Sequence, residues 1–252
     1  MDDHLEEQAA GAGSRMTVVE HLAEFRRRLI ISIIAVAIGS VVAFVFFGEI
    51  LDLLIEPYRE ITCESARGCQ ESLIFTDPLE AFATRLKVAG YGGLVLASPV
   101  VLFQLWRFIT PGLYPREKRY AIPFVLTSVL LFLFGGFVAI RTFPQALDFL
   151  LTIGGDELTP LLTAGKYLSL ITLMILAFGL AFEFPVVLMF LLLARVITTA
   201  QLRRYRRWVV IGVVVFSAVI TPSGDPYSQL FMAVPMYVFY EAVILIGRLM
   251  KR

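Results

Sequence analysis

Residues 29–48 are twenty consecutive positions without a charged side chain. A helix rising about 1.5 Å per residue needs roughly 20 residues to cross some 30 Å of hydrocarbon, so this run meets that length on its own. Further apolar windows follow at 88–106, 120–140, 167–194, 208–221 and 226–247. Composition agrees: 58% of the 252 residues are apolar and 17% are charged, where a soluble domain carries about 25% charge. The net charge of +1 excludes nothing, because the charges cluster between the windows. The expected fold class is an all-α membrane protein with six transmembrane helices.

Residues 1–16 are acidic and rich in small side chains, which reads as a disordered tail; residues 17–252 then form one six-span domain. With no early apolar core in the first 28 residues, no cleavable signal peptide is expected. Thr17 and Glu20 match a capping box, and Val18, Leu22, Phe25 and Leu29 follow at helical spacing. A short amphipathic helix is expected there, running into the first span. Residues 49–87 and 141–166 read as polar connections. With the N-terminus inside, sixteen Lys and Arg fall on inner segments and six on outer ones, which predicts both termini in the cytoplasm. Span five has about 14 helical residues before Thr221, roughly 20 Å, and is too short for an ordinary bilayer.

The loop after span two packs Trp106, Phe108, Pro111, Tyr114 and Pro115 among Arg107, Arg116, Lys118 and Arg119. A plain connection needs no such aromatic–proline chemistry, so it reads as the centre of a docking surface. Glu24 and Glu117 are acidic residues in the two most basic inner segments. Each alone reads as the partner of a nearby Arg. Together they make a negative spot in a positive rim, suited to a ligand bearing guanidinium groups, with Phe108 as apolar contact. Glu183 lies about 12 residues from Arg195, roughly 18 Å deep. An ionised carboxylate there costs on the order of 2.5–3.5 kcal/mol, so it must be protonated, paired or facing water. Its readings are a functional group or a structural hydrogen bond to a neighbouring helix. Pro185 frees a backbone carbonyl and is expected to kink that helix. Cys63 and Cys69, in an outer loop, are a candidate disulfide or two free thiols. The only histidines, His4 and His21, lie far from Glu183, and no phosphate loop or metal-ligand motif is present. Neither catalysis, cofactor nor metal is expected.

Five stretches in order carry a family resemblance: HLAEFRRRL at 21–29, EPY at 56–58, SPVVLFQLWRFITPGLYPREKR at 98–119, FGLAFEFPV at 178–186 and TPSGDPYSQLFMAVPMYVFYE at 221–241. From about residue 20 to 249 the chain resembles the TatC family, the multispanning core of the twin-arginine protein translocase. The resemblance implies a glove-like concave bundle in the cell membrane that receives twin-arginine signal peptides of folded cargo proteins. It implies that Glu24 and Glu117 bind the arginines, with Phe108, Arg26, Leu113 and Tyr114 shaping the site. It places Glu183 facing the concave cavity, toward single-span TatA- and TatB-type partners or the inserted peptide. It gives Thr221, Asp225 and Gln229 a partner-contact role, although the chain reads TPSGD where the family's form is TPPD. Pro57 and the TDP at 76–78 match outer-loop features with structural roles. The implied energy source is the proton gradient, and a homo-oligomer in the bilayer is a further expectation. The competing readings are a small-solute or ion transporter, an intramembrane enzyme and a passive scaffold.

Overall fold

A computed structural model describes residues 18–64, 73–109, 121–155 and 162–250. Nine helices run through them: α1 Val18–Val45, α2 Phe47–Glu64, α3 Pro78–Ile109, α4 Ala121–Thr152, α5 Ala164–Ala181, α6 Phe184–Leu193, α7 Thr199–Arg204, α8 Arg206–Ile220 and α9 Pro226–Leu249. Five stretches are long and apolar enough to cross a membrane: Val19–Val45, Pro78–Ile109, Ile122–Thr152, Ala164–Leu193 and Pro226–Leu249. α8 has 15 residues, about 22 Å of rise, and falls short of that length, as its sequence predicts. The amphipathic segment and the first span are one unbroken helix, α1.

Two expected connections are in part helical among the described residues. Within 49–87, α2 turns Leu54, Pro57 and Tyr58 inward while Asp52, Glu56 and Arg59 face out. That is helical spacing hidden under a polar composition. α3 begins at Pro78, ten residues before the expected span. Asp77 accepts from the Leu79 N–H at 2.8 Å, and Pro78 follows at the position where a missing N–H costs nothing. α4 likewise continues past residue 140 to Thr152.

The helices meet along seams of small residues, as expected where lipid gives apolar surfaces no reason to associate. At Gly39 an added Cβ would lie 2.6 Å from the Gly93 carbonyl oxygen, so α1 and α3 touch backbone to backbone. Gly135 of α4 meets α5 the same way, 2.6 Å from the Phe178 carbonyl oxygen. The largest buried cluster centres on Tyr167, whose hydroxyl donates to the Leu54 carbonyl at 2.7 Å. Tyr58 and Phe143 pack edge-on against its ring, so α2, α4 and α5 are fixed around one buried phenol. A second cluster joins Leu192, Leu202, Tyr240, Val243 and Ile244 of α6, α7 and α9.

Glu80 ties two helix starts together. Its carboxylate accepts from the Thr76 N–H and hydroxyl, at 3.0 and 2.8 Å, and from the Gly165 N–H of α5 at 3.2 Å. Beside it Ile74 bridges Thr163, which caps α5.

Candidate functional sites

At one end of the α1–α3 pair the first turns of α1 lie against the last turns of α3. His21 stacks on Phe108 with ring centroids 4.5 Å apart, and Phe25 meets the same ring at 5.4 Å. Beside this aromatic group a polar cleft of about 410 Å³ is lined by Glu20, Glu24, Arg27, Arg28, Gln104 and Arg107, with Ala23 and Ile31. The sequence brings this about through register. Glu24 and Arg28 are four apart and share a face of α1, while Gln104 and Phe108 are four apart on α3. Arg28 donates to Glu24 Oε1 through both Nε, at 3.1 Å, and Nη2. Its Nη1 reaches Gln104 Oε1 at 3.5 Å. Glu24 Oε2 is buried with no hydrogen-bond partner among the described residues. Thus Glu24 and Phe108 share this end of the molecule, and Arg26 is exposed on α1. Glu117, Leu113 and Tyr114 lie outside the described residues, as does the Cys63–Cys69 pairing.

The second site is the break between α5 and α6. The helix ends at Ala181 and restarts at Phe184, with Glu183 at the junction. Pro185 has no N–H to give the Ala181 carbonyl, and the Val186 N–H goes to the Glu183 carbonyl at 3.0 Å. Backbone acceptors are thereby released in the middle of a span, as Pro185 predicts. Trp106 Nε1 donates to the Ser128 hydroxyl at 2.6 Å, and Ser128 lies beside the Glu183 side chain. Phe124 and Phe190 pack on the Trp106 ring at 5.2 and 5.5 Å. Glu183 Oε1 is buried without a partner among the described residues. Ser128 and the indole were not singled out by sequence reasoning, since a serine in an apolar window carries no periodic signal.

The third is the turn between α8 and α9. Asp225 is fully buried and caps α9, accepting from the Ser228 N–H at 2.7 Å and from the Ser223 hydroxyl. Thr221 is 4% exposed and donates to the Ser217 carbonyl at 2.7 Å. Both side chains are occupied in building the turn. Gln229 is half-buried and donates to the Val214 carbonyl at 3.3 Å. Glu241, an acid inside α9, pairs with Arg206 and accepts from the Tyr237 hydroxyl at 3.1 Å.

A helical membrane protein with a guanidinium–carboxylate cleft at one end and a carboxylate at a mid-span break is the class these features define. The family model for the Sec-independent protein translocase protein (TatC) matches residues 20–235. A TatC of Aquifex aeolicus is 42% identical over 240 residues, spanning 94% of this chain and 97% of that protein. One of Carboxydothermus hydrogenoformans is 37% identical over 237 residues, spanning 94% of each. A crystal structure of the twin arginine translocase receptor TatC in DDM superposes with a TM-score of 0.74 at 42% identity, over 90% of this chain and 99% of that one. The chain belongs to the TatC family, and it is a component of the twin-arginine translocation system. A small-solute or ion transporter finds no support in these comparisons.

Proposed function

We propose that this chain is the signal-peptide receptor of its translocase. It crosses the membrane six times with both termini in the cytoplasm, α8 being the short span. The arginines of a twin-arginine signal peptide dock on Glu24 and Glu117, with Phe108, Arg26, Leu113 and Tyr114 forming the rest of the surface. The observation that carries this reading is a half-buried carboxylate, Glu24, already in contact with a guanidinium inside a basic cleft next to Phe108. Carboxylates of this kind select the planar fork of arginine over the point charge of lysine. The peptide's apolar part then inserts beside α5 and α6. Glu183 contacts it or the single-span TatA- and TatB-type partners that gather there, so that folded cargo passes. The turn at 221–229 presents a further partner surface, shaped by Thr221 and Asp225 and including Gln229.

The test is photo-crosslinking in membranes from a probe at Phe108. A peptide with paired arginines is captured and the same peptide with paired lysines is not. Glu24→Lys and Glu117→Lys each abolish capture. Equal capture of both peptides reduces the site to an apolar groove. Glu183→Gln is expected to leave capture intact and to stop export; full export by that variant removes the intramembrane role.

A further inference from the structure

We infer that Arg28 is an internal latch on the arginine site: its guanidinium occupies the Glu24 carboxylate, and an incoming arginine must displace it. This rests on the reading of Glu24 as an arginine-binding residue and adds how that residue is regulated.

The geometry leaves no other approach along the described chain. Glu24 Oε1 is taken by two nitrogens of Arg28. Oε2 is buried, and the two side chains retain 14% and 19% of their accessible surface for Arg28 and Glu24 respectively. A second guanidinium therefore has to compete with Arg28 for Oε1, while Oε2 stays covered. The latch is held at its far end by Gln104, which receives Nη1. When Arg28 swings away, Gln104 loses its donor and its amide oxygen becomes available, so carboxylate and amide open together. The adjoining cleft, about 410 Å³, has room for the released side chain and the arriving one. The exchange replaces like with like. The half-buried carboxylate keeps a counter-charge throughout the exchange.

A latch reduces apparent affinity by the fraction of time it is open, whatever the ligand. The experiment uses the full chain in lipid nanodiscs and a fluorescent twin-arginine signal peptide, with Kd read by anisotropy and folding checked by thermal unfolding. Arg28→Gln is expected to tighten binding about threefold to tenfold, the worth of a partly shielded ion pair. A twin-lysine peptide should tighten by the same factor. Gln104→Ala, which removes only the anchor, should shift Kd in the same direction by less. Arg27→Gln removes a charge from the same cleft without touching the latch. It should tighten binding by under about twofold, the share due to simple repulsion. If Arg28→Gln does not fold, the Gln104→Ala result decides alone. Unchanged or weaker binding in Arg28→Gln, or in Gln104→Ala if that one decides, overturns the latch. An equal gain in Arg27→Gln does so too. Undiminished binding by Glu24→Gln overturns instead the underlying assignment of Glu24.

Discussion

Gly93→Ala should destabilise this protein although alanine is the better helix former. A Cβ at Gly93 would stand 2.2 Å from Ser40 Oγ, 2.4 Å from Ser40 N and 2.5 Å from Ser40 Cα. The hydroxyl can rotate away, but the backbone atoms cannot. Reaching ordinary contact near 3.5 Å requires α1 to move off α3 by about 1 Å at this point. Overpacking of a seam costs about 1–3 kcal/mol, against a propensity gain of about 1 kcal/mol for glycine to alanine in a helix. The same helix supplies the control. Gly90 is one turn away, and a Cβ there meets nothing within 4 Å, so Gly90→Ala carries only the gain. In detergent, Gly93→Ala should lower the unfolding temperature by a few degrees while Gly90→Ala holds or raises it, at about 2–4 °C per kcal/mol for a chain this size. Because the same pair of helices carries Glu24 and Phe108, Gly93→Ala should also weaken peptide capture at Phe108. Equal stability of the two variants would refute the claim that backbone contact between α1 and α3 governs this seam.

Asp225→Ala should cost about 1 kcal/mol or more through loss of the α9 cap, read as faster amide exchange at 227–229. Asp225→Asn keeps an acceptor and should restore most of that stability; if it still blocks partner assembly in membranes, the side chain has a second role beyond the turn. Glu80→Ala should loosen the junction of α3 and α5, with increased exchange at the Gly165 amide and a lower unfolding temperature. Unchanged exchange there would show that the Ile74–Thr163 bridge alone holds the two helix starts.

The long elements were legible because a single chemical demand, twenty apolar residues in a row, writes them out residue by residue. The break at Glu183 was legible too, since Pro185 announces a disturbance there locally. α2 was missed as a helix because Asp52, Glu56 and Arg59 set the tone of its composition, although Ile50, Leu51, Leu54, Ile55 and Tyr58 recur at helical spacing and pack on the core. The Glu24–Arg28 contact was half visible, as an acid four residues before a base. Its third member, Gln104, is 76 positions away, and nothing in either segment points to the other. Ser128 was invisible for the same reason: its value comes from Trp106, 22 residues earlier on another helix. Sequence periodicity reports which face of a helix is apolar, not which polar atom meets which across a seam.

α3 draws these separate contacts into one mechanical element. Its first turn is fixed to α5 through Glu80 and Gly165, and its middle is pressed against α1 at Gly93 and Ser40. Its last two turns carry Gln104, Trp106 and Phe108 on different faces of one helix. Gln104 reaches Arg28 and so the Glu24 carboxylate; Trp106 reaches Ser128, which lies beside Glu183. Phe108 is stacked by His21 of α1. The two acids therefore sit at the ends of two short polar chains that start two residues apart on one helix. A rotation of the end of α3 that released Gln104 from Arg28 would also move the indole that holds Ser128. Both sites therefore draw a side chain from the last two turns of α3, Gln104 toward Arg28 and Trp106 toward Ser128.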